Sequence, residues 1–166
     1  MKKHEDYVNE KTLEAYHKYL DGEYFVKARA IILKDGLVAF IKDLKTDKIT
    51  IPGGGVEENE TVEQGAVREA KEETGITAKP IMPVGKEYYD VPMQIGDIEF
   101  DSKRVAYAYL CEYESQEEGF AGLDGEYQGM IEVFFDEIDK LRDCNIGEDA
   151  IKRIKTYLEN KSSQEK

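Results

Sequence analysis

The stretch from Ile51 to Ile76, IPGGGVEENETVEQGAVREAKEETGI, limits more than any other what this chain can become. It opens on Pro52 and three consecutive glycines, Gly53, Gly54 and Gly55. Proline removes a backbone donor and glycine carries the largest conformational entropy, so the run is predicted to be a loop. Without side chains, its backbone can approach another group closely. A helix is predicted to follow over 61–74: Thr61 and Gln64 have the spacing of a capping box, and Gly75 supplies a left-handed stop.

That helix carries an excess of negative charge. Glu69, Glu72 and Glu73 fall at i, i+3 and i+4 and share one side, which Val62 and Ala66 also occupy. Lys71 points elsewhere, and Arg68 is expected to reach Glu72 at best. An acidic face turned to solvent would account for the cluster. Its apolar neighbours and the preceding glycines argue instead for an inward face whose missing charge is a divalent cation. Oxygen-only ligands suit Mg²⁺ or Mn²⁺ rather than Zn²⁺.

The segment resembles the signature of the Nudix hydrolases (MutT-like), G-x5-E-x7-R-E-U-x-E-E-x-G-U, with U aliphatic. Gly54, Glu60, Arg68, Glu69, Ala70, Glu72, Glu73, Gly75 and Ile76 fill its fixed positions. The resemblance implies an α/β fold, a Nudix-type α/β/α sandwich with a mixed central sheet. It also implies Mg²⁺-dependent hydrolysis of a diphosphate bond in a nucleoside diphosphate derivative, a triphosphate or a nucleotide sugar such as ADP-ribose. By position, Glu69, Glu72 and Glu73 match the family's metal ligands, and Glu69 and Glu73 are the catalytic glutamates. Gly54 matches a loop residue that ligates through its carbonyl. Gly53 and Gly55 are expected beside the substrate, and Arg68 and Glu60 match a structural pair. Many family members take a further acid, from before the last strand, as general base. Glu132 in EVFFDEI leads here, ahead of Glu126, Glu117 and Glu118. Some Nudix domains sense nucleotides without cleaving them; those usually lose signature glutamates, and this chain keeps all of them.

The whole chain adds bounds. Its 166 residues suit one domain, with a helical flank over 1–22, the main body over 23–160 and a disordered tail over 161–166. Thirty-six acidic against twenty-three basic residues give a formal charge of -13, which disfavours stable binding to nucleic acid or anionic membrane and leaves a small nucleotide as the expected partner. The oligomeric state is not legible in the sequence; members of the family it resembles often form homodimers. The N-terminus lacks an apolar leader region and no long apolar run exists, so a cytoplasmic location is expected, with Cys111 and Cys144 reduced. His4 and His17 have no neighbouring ligands and are read as surface residues.

Strands are expected over 24–33, 37–41, 48–51, 81–89, 98–100, 105–113 and 130–135, with a connector over 91–96 that contains Pro92, near the position where ADP-ribose hydrolases of the family carry a proline. Further helices are expected over 8–20, 136–141 and 146–158. Lys27 and Arg29 have like parity on the first strand and project from one face. Arg29, set between Ala28 and Ala30, must meet either a protein carboxylate or a substrate phosphate, because an unpaired buried cation is costly. Lys103 and Arg104 form a second basic pair. Tyr24, Phe25, Tyr88 and Tyr89 are candidates to stack on a base.

Overall fold

A computed structural model describes residues 4–117 and 130–164 of the chain. Glu118 and Glu126, two of the acids considered as general base, lie outside the described residues. The elements run α1 (His4–Leu20), β1 (Phe25–Lys34), β2 (Leu37–Asp43), β3 (Ile49–Thr50), β4 (Gly53–Gly55), α2 (Val62–Thr74), β5 (Ile76–Ile95), β6 (Ile98–Gln116), β7 (Ile131–Asp136), a 3-10 helix (Ile138–Cys144) and α3 (Glu148–Gln164). The strands form one seven-stranded sheet with the path β3-β2-β1-β6-β5, β4 also pairing with β1 and β7 with β2. β1 and β6 are parallel and the other pairs antiparallel, so the sheet is mixed.

Alternation along β1 sorts the molecule into layers. Ala28, Ala30 and Ile32 face α2 and pack with Ala66, Ala70 and Ile76. Ile31 and Leu33 face the other way and pack with Ile146, Ala150, Ile151 and Ile154 at α3. α1 covers the far end of the β5–β6 hairpin, where Tyr16 and Tyr19 set their rings 5.2 and 5.3 Å from that of Phe100. The result is the expected α/β/α sandwich. Burial pushes the Cys111 thiol up to about 12, and both cysteines are free and buried. Among the described residues no helix is long and apolar enough to cross a membrane.

Several elements differ from the sequence reading. The glycines are a short strand rather than a loop. β1 and β2 pair only at their shared turn, through Leu33↔Val38 and Lys34↔Leu37. They then diverge, and the glycine run occupies the vacated edge of β1 through Lys27↔Gly55, Ala28↔Gly54 and Arg29↔Gly53. Pairing compensates for glycine's entropy here, and Pro52 needs no donor because its carbonyl accepts from the Ala30 N–H at 2.8 Å.

The expected connector over 91–96 belongs to β5, which continues through Pro92 to a tight turn at Gly96. The pieces expected over 98–100 and 105–113 are one strand, β6. β5 ends the sheet path and takes Pro80 and Pro83 beside register shifts, as an edge strand allows. The helix after β7 is a 3-10 helix. α3 runs on to Gln164, past the expected start of the tail, where Lys161 donates to Glu112 Oε1 at 2.7 Å and ties the last turns to β6.

Candidate active site

The helix carrying the acids is fixed at both ends by its own sequence. Thr61 Oγ1 accepts from the Gln64 N–H at 3.0 Å, and the Gln64 side chain accepts from the Thr61 N–H at 2.9 Å. Gly75 closes the helix in the left-handed region, its N–H donating to the Lys71 carbonyl. Small residues then let α2 lie close to β1. A methyl group added at Gly65 would come within 3.5 Å of the Ala28 methyl group. This docking buries Glu69, which is 9% exposed, and half-buries Glu72 and Glu73.

Arg68 does more than its sequence position suggests. Its guanidinium grips Glu60 through Nε at 2.7 Å and Nη2 at 2.9 Å, and Nη2 also donates to the Gly55 carbonyl at 2.8 Å. Nη1 reaches Glu69 at 2.9 Å and Glu72 at 3.1 Å. The expectation that Arg68 reaches, of the three α2 glutamates, Glu72 at best is therefore corrected, since Nη1 also meets Glu69: a planar fork of five donors serves several acceptors at once. The bonds to Glu60 hold that carboxyl below its ordinary range, and the Arg68 guanidinium is held in its charged form.

The charge imbalance survives this pairing. Glu57, at 3.7 Å, joins Glu60, Glu69 and Glu72 around the one guanidinium. Glu73 accepts from the Gly53 N–H at 3.4 Å and lies against the Glu69 carboxyl, with no cation bonded to it among the described residues. Burial first, then the adjacent Glu69 carboxylate, pushes the Glu73 carboxyl well above the usual range. Gly54 has no room for a side chain, since a Cβ there would sit 2.5 Å from Glu69 Oε1. Among the described residues no three acidic, His or Cys side chains form a ready cage for a metal ion. The donor set nonetheless fits a hard divalent cation, being all oxygen, partly buried and short of positive charge.

Arg29 flanks the same glycines from the other face of the sheet. A Cβ at Gly53 would lie 3.1 Å from Arg29 Cγ, so Gly53 is where the α2 face and the α3 face meet. Burial lowers the Arg29 pKa, and its side chain makes no hydrogen bond or ion pair among the described residues. It opens into a cleft of about 740 Å³ between β5, β6 and the start of α3. The sequence reading missed this cleft. Its floor is Gly85, Ala106 and Ala108, small residues that only the strand register brings side by side, through Gly85↔Ala108 and Arg29↔Ala108.

The remaining candidates scatter. Glu132 is exposed on β7 opposite Lys42 and makes no hydrogen bond to Glu69, Glu72 or Glu73. Glu117 stands 3.7 Å from Lys71. Lys103 and Arg104 project from opposite faces, Arg104 lying 5.2 Å from the Phe25 ring centroid. Tyr24 and Tyr88 pack edge to face with each other.

Comparison with known proteins agrees with this layout. A family model for the NUDIX domain matches residues 25–152. The chain is 31% identical over 99 residues to a probable DHNTP pyrophosphohydrolase of Lactococcus lactis subsp. cremoris, covering 59% of this chain and 60% of that protein. It is 32% identical over 92 residues to an 8-oxo-dGTP diphosphatase of Escherichia coli, covering 55% of this chain and 65% of that protein. The matches thus span less than two thirds of the length of these relatives. A NUDIX hydrolase from Nitrosomonas europaea superposes with a TM-score of 0.57 over 83% of this chain and 90% of its own, at 19% identity, a likeness of fold. With the family model covering most of the chain and the signature glutamates gathered on α2 against the glycine strand, the chain belongs to the Nudix family.

Proposed function

We propose that the chain hydrolyses a diphosphate bond in a nucleoside diphosphate derivative, with Mg²⁺ or Mn²⁺ held by Glu69, Glu72, Glu73 and the Gly54 carbonyl. The observation that carries this reading is the surplus of buried carboxylate on α2 directly against glycine backbone, with Arg29 unpaired on the far side of that backbone. The cation, when bound, neutralises phosphate oxygens and acidifies water.

The chain's own groups do the rest. Arg68, anchored by Glu60, orients Glu69 and Glu72 and keeps them from repelling each other outright. Gly53 and Gly55 present bare backbone, so a phosphate can approach without a side chain in the way. Arg29 grips phosphate oxygens with a guanidinium already stripped of much of its water, which strengthens the contact. The non-phosphate part of the substrate lies in the cleft over Ala106 and Ala108. Glu132 acts as general base, with Glu117, Glu118 and Glu126 as the alternatives. The relatives named for pyrophosphohydrolase and diphosphatase activity support the reaction class.

The test is product release from a panel of nucleoside triphosphates and nucleotide sugars with Mg²⁺ and Mn²⁺. Turnover that disappears in Glu73→Gln is expected; no turnover of any member with either metal would sink the reading. Glu132→Gln should lower turnover by about 10²- to 10⁴-fold while metal binding persists. Unchanged activity would move the role to one of the other acids.

A further inference from the structure

The sheet face that floors the cleft continues past Ala106. Along β6 the next residues on that face are Arg104 and then Ser102, and the strand register sets Phe25 and Tyr89 on either side of Arg104. α1 closes over this continuation, with Ala15 buried and Tyr16 and Tyr19 against Phe100. Arg29, Ala108, Ala106, Arg104 and Ser102 thus share one strip of the sheet.

Polar groups at the far end of this strip are short of partners. Ser102 is 1% exposed, and its Oγ makes no hydrogen bond. The Arg104 Nε is buried and unbonded as well. The guanidinium otherwise touches only soft groups, the Met93 Sδ at 3.7 Å and the Phe25 ring, whose centroid is 5.2 Å away. Lys18 reaches the same ring, also at 5.2 Å, so two cations share it. Glu23 serves Lys18 at 3.8 Å, and no carboxylate pairs with Arg104 among the described residues. Buried polar groups are nearly always bonded, and a desolvated cation without an anion is costlier still. One water shared by Nε and Oγ would suit two Cα atoms roughly 7 Å apart along a strand, but it would leave the charge unmatched. An anionic oxygen accepts from both donors and matches the charge.

Position narrows the choice of anion. Strand spacing and rise put the Arg29 and Arg104 Cα atoms roughly 14 Å apart. Arg29 lies close enough to Tyr89, the strand partner of Arg104, for the two to interact. Arg104 as a whole is only half-buried, so a ligand in the cleft can reach it. A nucleotide with its 5′-phosphates at Arg29, running over Ala108 and Ala106, brings its ribose toward Arg104. The first further anion that such a ligand carries is a phosphate on the 2′ or 3′ oxygen. We propose that Arg104 and Ser102 form a second anion site at the end of the cleft, and that the preferred ligand is a nucleotide phosphorylated on its ribose as well as at its 5′ end. The inference rests on the reading above in taking the cleft as the nucleoside's place.

Calorimetric binding of 5′-AMP, adenosine 2′,5′-bisphosphate and adenosine 3′,5′-bisphosphate, at matched ionic strength, tests this without any turnover. Wild type should bind one of the bisphosphates about 10-fold or more tighter than 5′-AMP, as expected for a hydrogen bond between charged groups. Arg104→Met should bring that ligand down to the AMP level, and Ser102→Ala should narrow the gap. Arg29→Ala should weaken all three and keep their ratios. Since Arg104 has no acid to orphan, Arg104→Met should melt at or above the wild-type temperature. Equal affinities in wild type, no measurable binding of any of the three, or a gap that persists in Arg104→Met would overturn the site. A gap that persists while Arg104→Met melts well below wild type would make Arg104 a structural residue. Equal affinities alongside normal hydrolysis would remove the second site and leave the hydrolase standing; a gap abolished by Arg104→Met, without hydrolysis of any substrate, would do the reverse.

Discussion

Arg29 illustrates how much a single position leaves open until neighbours are placed. Sequence parity put it on one face of β1 and demanded an anion, but could not choose between a protein carboxylate and a phosphate. The structure gives it no ion pair among the described residues and lowers its pKa through burial. Arg29→Ala should therefore leave the melting temperature unchanged or slightly raised, because a desolvated cation is removed without orphaning an acid. KM should rise by about 10- to 100-fold, the worth of a charged hydrogen bond to phosphate. A variant that melts far below wild type yet keeps its kinetics would overturn the phosphate role. Gly54 gives the opposite case, a residue whose role lies in what it lacks. Gly54→Ala would place a methyl group within van der Waals overlap of the Glu69 carboxylate. It should cost about 1–3 kcal/mol of stability from overpacking and weaken Mg²⁺ binding, both measurable by calorimetry. The glycine signature was legible as close approach; which carboxylate it approaches was not, because that depends on α2 docking through Ala66 and Ala70.

Among the elements, α2 was legible nearly to the residue because its signals are local: Thr61 and Gln64 cap it and Gly75 stops it. β4 was not, and of β5 only the stretch over 81–89 was. A glycine run looks like a loop, and the segment around Pro92 like a connector, until β1 and β6 supply partners, and those partners lie far away in sequence. The end of α3 was misjudged for a related reason. Lys161 and Tyr157 both donate to Glu112 on β6, holding the helix beyond its last apolar residue. Those two bonds, Lys161 first, depress the Glu112 pKa below its ordinary value. A depressed carboxylate contributes stability that is full above the ordinary glutamate pKa and is lost as pH falls through the folded value. Glu112→Gln should thus cost about 1 kcal/mol near neutral pH, allowing for partial exposure, and nothing once both proteins are acidified below the folded pKa. Urea denaturation at several pH values checks this; a difference that stays constant into strong acid would assign the loss to packing instead.

At the scale of the whole molecule, the formal charge of -13 sets the terms on which a polyanion can bind. Net charge could be read from composition, but its local focus could not. Four carboxylates crowd Arg68 and a fifth, Glu73, is forced toward its neutral form by burial and by Glu69. The folded chain therefore stores repulsion at one place, and a cation bound there stabilises the native state alone. At a hundredfold excess over Kd, linkage gives about 2.7 kcal/mol, which for a chain of this size is roughly 5–10 °C in Tm. Any salt will also screen general self-repulsion, so the comparison must be made at matched ionic strength with NaCl. Mg²⁺ should raise Tm beyond NaCl in wild type, and Glu73→Gln should lose most of that difference while keeping the NaCl response. If Mg²⁺ and NaCl act alike at equal ionic strength, with and without nucleotide, the effect is screening and α2 holds no metal. If Glu73→Gln keeps the full Mg²⁺ increment, the ion sits elsewhere on this acidic surface. A metal-specific increment confined to the intact α2 glutamates would tie the charge of the whole chain to the one stretch, Ile51–Ile76, that concentrates it.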